Sequence, residues 1–324
     1  MARKERRNNM SINIKENVPL APLTTFKIGG AARYFTEVRS EDDIREALAW
    51  ARERKTPFVI LGGGSNILVA DEGLNALVVR IASADFDMSG KMLTADAGCN
   101  LTELIRKAGE KGLGRWEKLA GIPGSIGGAV RGNAGAFGTE IKDVAISVRA
   151  FNTKTNEAKY FTNTECTFLY RNSFFKKHPE WIILRVVVEL HPVAPRESAL
   201  RSDETITERN RRHLQDVQAA GSYFMNPIAS PAVREQFKQE KGVRSREGRV
   251  PAGWLIEKAG MKGAVEGGAI ASIQHPNYIV NTGHATAADV RALAKKIKAA
   301  VLEKFGIRLE EEVVVLDSDT MKKL

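Results

Sequence analysis

The chain has 324 residues, 43% hydrophobic and 27% charged, the composition of a globular protein with room for about two domains. No apolar run approaches the roughly 20 residues of a spanning helix, and the basic start MARKERRNNM leads into no apolar segment, so neither a membrane span nor a secretory signal is expected. Two cysteines, Cys99 and Cys166, make no disulfide framework, which sets cytoplasmic residence as the default; a formal net charge of +10 fits small anionic ligands, nucleic acid or a surface tuned for solubility.

In chain order, residues 1–17 are polar and lack periodicity, a basic flexible arm. From Thr24, short apolar strands alternate with amphipathic helices. Ser40, Glu41, Asp42 and Asp43 form a capping-box pattern ahead of a helix over 44–54, with Ala47, Leu48 and Ala51 on one face. A buried strand over 57–61 runs into Gly62-Gly63-Gly64-Ser65-Asn66, and strands follow over 77–81 and 92–97. Asn100 with Glu103 caps a helix that ends at Gly112. Beyond a glycine-rich stretch the pattern turns antiparallel, with strands over 144–151, 158–162, 166–170 and 181–190. Residues 191–220 are polar and contain no aromatic residue, which marks a boundary: a linker with a helix around 206–217. A helix over 252–259, a strand over 277–281, a long helix capped by Thr286 and Asp289 and ended by Gly306, and a last strand over 308–316 complete the chain. The domains read as 18–192 and 221–318, joined by 193–220.

The stretch 121–138, GIPGSIGGAVRGNAGAFG, holds seven of the chain's 28 glycines. Such density costs conformational entropy, and its usual reason is a backbone that bends sharply and offers N–H groups to an anion, most often phosphate. The triple glycine at 62–64 does not make a dinucleotide fingerprint of the Rossmann type, because Ile67 stands where the third small residue belongs. No Walker-type loop is present. The pair of loops is best read as a phosphate or pyrophosphate cradle, with two ligand-free turns as the alternative.

Other candidates carry less information alone. His178, His191, His213, His275 and His284 show no metal-ligand spacing, and no metal is expected. Ser222 lies outside any nucleophile-elbow pattern, which leaves a turn residue as the default. Of Glu310, Glu311 and Glu312, strand alternation sends one inward without saying which. Arg171 follows Phe168-Leu169-Tyr170 and enters an apolar region, where an arginine needs a partner or a bound anion. The residues by themselves predict an α/β protein in two parts with phosphate-cradling loops, and no reaction.

Taken together, seven motifs resemble the UDP-N-acetylenolpyruvoylglucosamine reductase family over roughly residues 17–316. They are TTFKIGG at 24–30, LGGGSN at 61–66, AGIPG from 120 continuing to Gly138, YRNS at 170–173, GSYFMNP at 221–227, AGWLI at 252–256 and LEEEV at 309–313. The resemblance implies an α+β fold: an FAD-binding domain of the vanillyl-alcohol-oxidase (PCMH) type, then a smaller α+β substrate-binding domain. It implies NADPH-dependent reduction, through FAD, of UDP-N-acetyl-3-O-(1-carboxyvinyl)-glucosamine to UDP-N-acetylmuramate for peptidoglycan. Under it, FAD lies against Gly62, Gly63, Gly64, Ser65 and Asn66, and against Gly121, Ile122, Pro123, Gly124, Ser125, Gly127, Gly128, Asn133, Gly135 and Ala136. Ser222 matches the family's proton donor to C2, and Arg171 and Glu312 match the pair that stabilises developing charge on the substrate carboxylate. Tyr170, Asn226 and Lys262 are the substrate-binding candidates.

The chain departs from the family at a few points. Met225 stands where a lysine that helps to hold the substrate diphosphate is usual, with Lys262 a candidate for compensation, and Gly132 stands where methionine is common. The aromatic-free 191–220 resembles the subclass without a tyrosine-bearing loop, although 228–250 is long. Two competing readings remain: another FAD-dependent oxidase or dehydrogenase on the same scaffold, and a basic nucleic-acid-binding protein. The second is disfavoured by basic residues spread along the chain with no aromatic-interleaved motif.

Overall fold

The computed structural model describes residues 12–211 and 217–321. The first sheet has strand β1 (Lys15–Pro19) antiparallel to β2 (Ala31–Val38). Helix α1 (Glu41–Glu53) leads to β3 (Phe58–Leu61), then β4 (Ile67–Val69) and β5 (Leu74–Ile81). The order is β1-β2-β5-β3, with β2 and β3 both parallel to β5. The local capping signal at α1 is realised in full: Ser40 Oγ accepts from Asp43 N, and the Asp43 carboxylate accepts from Ser40 N. Lys15, Glu16 and Asn17, assigned from sequence to the arm, instead belong to β1, with Lys15 and Glu16 paired to Phe35 and Tyr34, and Ile12 is buried. The strand shows no alternation because its burial is shallow; its partner, β2, selects it. The rest of the arm, residues 1–11, lies outside the described residues.

The second sheet contains β6 (Phe86–Ser89), β7 (Met92–Asp96), β8 (Ala145–Asn152), β9 (Ala158–Thr162) and β10 (Trp181–Glu189). It is antiparallel in the order β9-β8-β10-β7-β6. Helix α2 (Leu101–Glu110) starts at Asn100, whose Oδ1 accepts from Glu103 N as its sequence suggests. Inside the glycine-rich stretch lies a helix with no apolar periodicity to announce it, α3 (Ile126–Gly132), stopped by Asn133 in a left-handed conformation at φ 44°. The strand expected over 166–170 is a series of turns. Thr167 sits at φ 41°, and Leu169 and Asn172 exchange backbone hydrogen bonds of 3.0 and 3.1 Å. Cys166 is fully buried there by packing, and α4 (Phe174–Lys177) follows.

Helix α5 (Pro195–Arg211) starts eleven residues before the expected 206 and ends before 217. It buries Ser198, Thr205 and Arg209, so its inner face carries no hydrophobic period. It approaches α2 so closely that a Cβ on Gly109 would lie 2.6 Å from Ser198 Oγ. Residues 212–216 lie outside the described residues.

The last part holds α6 (Pro231–Lys241), α7 (Ala252–Lys258), β11 (Ala269–Ala271), β12 (Ile279–Asn281), α8 (Ala287–Phe305) and β13 (Val314–Leu316). The long segment 228–250 thus contributes α6, with Val233 and Phe237 in the core. That core, with Phe224, Trp254, Leu255, Val290 and Ile297, also takes Phe26, Ile28 and Leu68 from the first part of the chain. Two further ties lock the parts together. The Asp71 carboxylate accepts from the Ala287 and Ala288 N–H groups at the start of α8 (2.8 and 3.0 Å), and β13 runs parallel to β4. The final strand is shorter than the expected 308–316 because residues before Val314 pair elsewhere, with consequences for the site.

Candidate active site

Two glycine-rich loops touch backbone to backbone. A Cβ on Gly63 would lie 2.5 Å from Gly124 Cα, and one on Gly64 (φ +65°) would lie 2.0 Å from Leu23 O. The Ser65 hydroxyl donates to Pro123 O at 2.8 Å across the same junction. The loops therefore form a single wall. Gly63→Ala is expected to lower the melting temperature and the flavin-to-protein ratio, at a cost of about 1–3 kcal/mol from forced displacement. Gly132→Ala, where an added Cβ meets nothing within 4 Å, is the neutral control. Melting of both variants by calorimetry, with visible absorbance, checks this.

The wall bounds a cavity of about 1080 Å³. Gly62, Gly63, Gly64, Ser65 and Asn66 line it, as do Ile122, Pro123, Ser125, Gly127, Gly128, Gly135 and Ala136. Three of the residues assigned to the cofactor do not. Gly121 donates its N–H to Thr102 Oγ1, Gly124 is consumed by the contact with Gly63, and Asn133, fully buried, binds Glu140 and Leu169 O. These contacts hold the shape of the loop.

Arg171, Ser222 and Glu312 all line this cavity, although the sequence separates them widely. Arg171 sits on the tight turn after Tyr170 at φ 52°, not in a strand. Its Nη2 donates to Gly135 O at 2.8 Å, and its Nε lies 3.0 Å from Glu312 Oε1. Ser222 follows Gly221, a left-handed residue at φ 75°. The next two residues are clamped by Asn277: its O and Oδ1 accept from Tyr223 N and Phe224 N, and its Nδ2 donates to Phe224 O.

The segment before β13 pairs with this clamped strand. Glu312 N donates to Tyr223 O at 2.8 Å, and Met225 N donates to Glu310 O at 2.9 Å. That pairing turns Glu311 to one face and Glu310 and Glu312 to the other, and only Glu312 of the three reaches the cavity. Glu310 is exposed, Glu311 reaches Lys298 at 2.6 Å, and Glu312 enters the cavity. Burial raises the Glu312 pKa, and the fields of Arg171 and Lys176 only partly offset it.

None of the three substrate-binding candidates lines the cavity, and they divide by their neighbours. Tyr170 and Asn226 are adjacent, Asn226 N donating to the Tyr170 hydroxyl at 3.2 Å, while Asn226 Oδ1 accepts from Ala252 N at the start of α7. Lys262 does not line the cavity and pairs with Glu257 at 3.0 Å. The cation near Tyr170 is Arg249, 4.5 Å from the ring centroid on a ring that Arg171 also approaches, at 5.0 Å.

Other functional groups escaped the sequence reading. Arg131, Lys176 and Arg209 line the cavity, and burial lowers the pKa of each. Arg131 was visible as the one charged residue in the glycine-rich stretch; the other two had no local signal. Both cysteines are free and buried, with thiols pushed up to about 11 for Cys99 and about 12 for Cys166, so neither is a nucleophile near neutral pH.

Bare main chain along one wall suits a dinucleotide: a Cβ on Gly128 would meet only Ser125 Oγ, at 3.5 Å. With a half-buried ion pair and a serine on the same cavity, this is the site of a redox enzyme that holds its cofactor on glycine loops. A family described as "FAD binding domain" matches residues 32–156, and one described as the C-terminal domain of UDP-N-acetylenolpyruvoylglucosamine reductase matches residues 212–316. Relatives of that reductase name from Solibacter usitatus and Pseudomonas aeruginosa are each 37% identical, covering 94% of this chain and 96% and 99% of theirs. A crystal structure of the reductase from Thermus caldophilus superposes with a TM-score of 0.75 at 31% identity, over 94% of this chain and all of that one. The chain belongs to the UDP-N-acetylenolpyruvoylglucosamine reductase family, FAD-dependent oxidoreductases of peptidoglycan precursor synthesis.

Proposed function

We propose that the chain uses NADPH to reduce the enolpyruvyl ether of UDP-N-acetyl-3-O-(1-carboxyvinyl)-glucosamine, giving UDP-N-acetylmuramate. The observation that carries this reading is the convergence of Arg171, Ser222 and Glu312 on one cavity walled by the two glycine loops. FAD, when bound, supplies the relay of reducing equivalents between NADPH and the nucleotide.

The residues of the chain do the rest. Ser222 holds the proton that goes to C2, on a backbone fixed by Asn277 on one side and by Glu312 on the other. Arg171 and Glu312 meet the substrate carboxylate as negative charge builds on it. A preorganised cation and a neutral carboxyl donor stabilise that charge better than water does, because their orientation is already set. The raised pKa of Glu312 favours the protonated donor. Tyr170 and Asn226, with Arg249 beside them, are the proposed contacts for the nucleotide; Arg249 Nη1 donates to Asn226 O at 2.8 Å and places a positive charge next to Met225. The proposed division is a cofactor domain over 18–192, a connection over 193–220 and a substrate domain over 221–318.

No helix among the described residues is long and apolar enough to cross a membrane. Purified protein is expected to be yellow and to oxidise NADPH only when the carboxyvinyl nucleotide is supplied, followed at 340 nm. Equal oxidation without the nucleotide, or rapid turnover with dioxygen in its place, overturns the reading.

A further inference from the structure

Arg131 stands in the last turn of α3 and lines the cavity, where its side chain remains exposed although surrounding protein desolvates it. Its backbone is pinned to the turn that carries Arg171, since the fully buried Ser173 hydroxyl donates to Arg131 O at 2.7 Å. Lys176, on α4, lines the same cavity, and its Nζ donates to Arg171 O at 2.9 Å. The fields of Arg131 and Arg171 both act on Lys176, which places the three cations around one end of the cavity.

The carboxylates there do not balance them. Glu312 is held by Arg171. Glu140 is taken by Lys142 and Asn133, and Glu180, also on the cavity wall, lies against His178. Among the described residues Arg131 has neither an ion pair nor a side-chain hydrogen bond. Leaving a guanidinium partly desolvated and unpaired is costly, and a ligand anion removes that cost. The planar fork of arginine suits an anion whose charge is shared over two atoms in a plane.

We propose that Arg131 and Lys176 form a second anion subsite beside the Arg171–Glu312 pair, which takes a planar, delocalised anion present during turnover. The proposal rests on the reading that FAD and the carboxyvinyl nucleotide share this cavity. Two sources carry that chemistry: the carboxylate of the nucleotide and the pyrimidine edge of reduced FAD.

The test uses the flavin-loaded enzyme and its Arg131→Met and Arg131→Lys variants. Two quantities are measured: the flavin midpoint potential against a reference dye, and the dissociation constants of the carboxyvinyl nucleotide and of UDP-N-acetylglucosamine, which lacks the carboxylate. If the anion is reduced FAD, Arg131→Met lowers the potential by about 30 mV, a tenfold change for a two-electron couple, with both dissociation constants unchanged. If the anion is the carboxylate, the carboxyvinyl nucleotide alone binds about tenfold more weakly, a loss near 1.4 kcal/mol, at unchanged potential. In either case Arg131→Lys keeps more of the effect than Met, because the charge remains. Unchanged potential and unchanged binding overturn the proposal. So does equal weakening of both nucleotides, which would mark a general positive field. If Arg131→Met loses its flavin, Lys176→Met carries the same two readouts. Failure of wild type to reduce the nucleotide would instead count against the underlying reading, whatever Arg131 does.

Discussion

Ser222→Ala is expected to leave reduction of the bound flavin by NADPH intact and to slow substrate reduction by roughly 10²–10⁴-fold, the usual worth of a positioned proton donor. The structure makes this a clean experiment. Among the described residues the Ser222 hydroxyl has no hydrogen-bond partner, so alanine removes no internal bond. The main chain around it stays anchored through Tyr223 and Phe224 to Asn277. Stopped-flow absorbance resolves the two half-reactions separately. Equal loss in both would show that Ser222 supports cofactor binding rather than proton delivery. Loss of neither would remove it from the chemistry.

The second large effect concerns Glu312. Burial raises its pKa above the usual carboxylate value, so more of it is protonated at a given pH than of an exposed glutamate. The protonated form is the one able to donate to the substrate carboxylate. Its population falls as pH rises through the raised pKa, so substrate reduction should decline along an alkaline limb. Glu312→Gln keeps a neutral donor of similar shape but cannot ionise. It is expected to flatten that limb and, through poorer stabilisation of charge beside Arg171, to lower the rate by roughly 10²–10³-fold. A pH–rate profile of the substrate half-reaction checks both parts. A limb that persists unmoved in the Gln variant would remove Glu312 as its source.

The two experiments probe a site assembled from three distant pieces of chain, and its legibility varied accordingly. The helix starts at Ser40, Asn100 and Thr286 were readable because a cap is a contact between residues three apart. The glycine loops were readable as a cradle, but not the division of labour within them. Gly124 is a glycine because of Gly63, and Asn133 is buried because of Glu140 and Leu169. The sequence places Arg171 as a cation at the end of an apolar strand, whereas the structure has it on a turn beside Glu312 and Lys176. Its left-handed turn depends on the reciprocal bonds of Leu169 and Asn172 rather than on local propensity. Helix α5 was misplaced because its buried face is made of Ser198, Thr205 and Arg209, which carry no hydrophobic period.

Composition, periodicity and spacing pointed to a chain of mixed helices and strands with two glycine loops that lack the Rossmann spacing, and the ordered motifs pointed to the family. These features are local, set by φ preferences, capping and short-range alternation. Which glutamate of Glu310, Glu311 and Glu312 lines the cavity was decided by the tertiary fold: pairing with Tyr223 and Met225 turns Glu311 to the opposite face, and of the other two Glu312 meets Arg171 while Glu310 is exposed. That Lys262 pairs with Glu257, and that Arg131 and Lys176 line the cavity without an ion pair among the described residues, was likewise decided by packing. Such outcomes depend on which elements meet across the cavity, and no short window of sequence contains both sides of that contact.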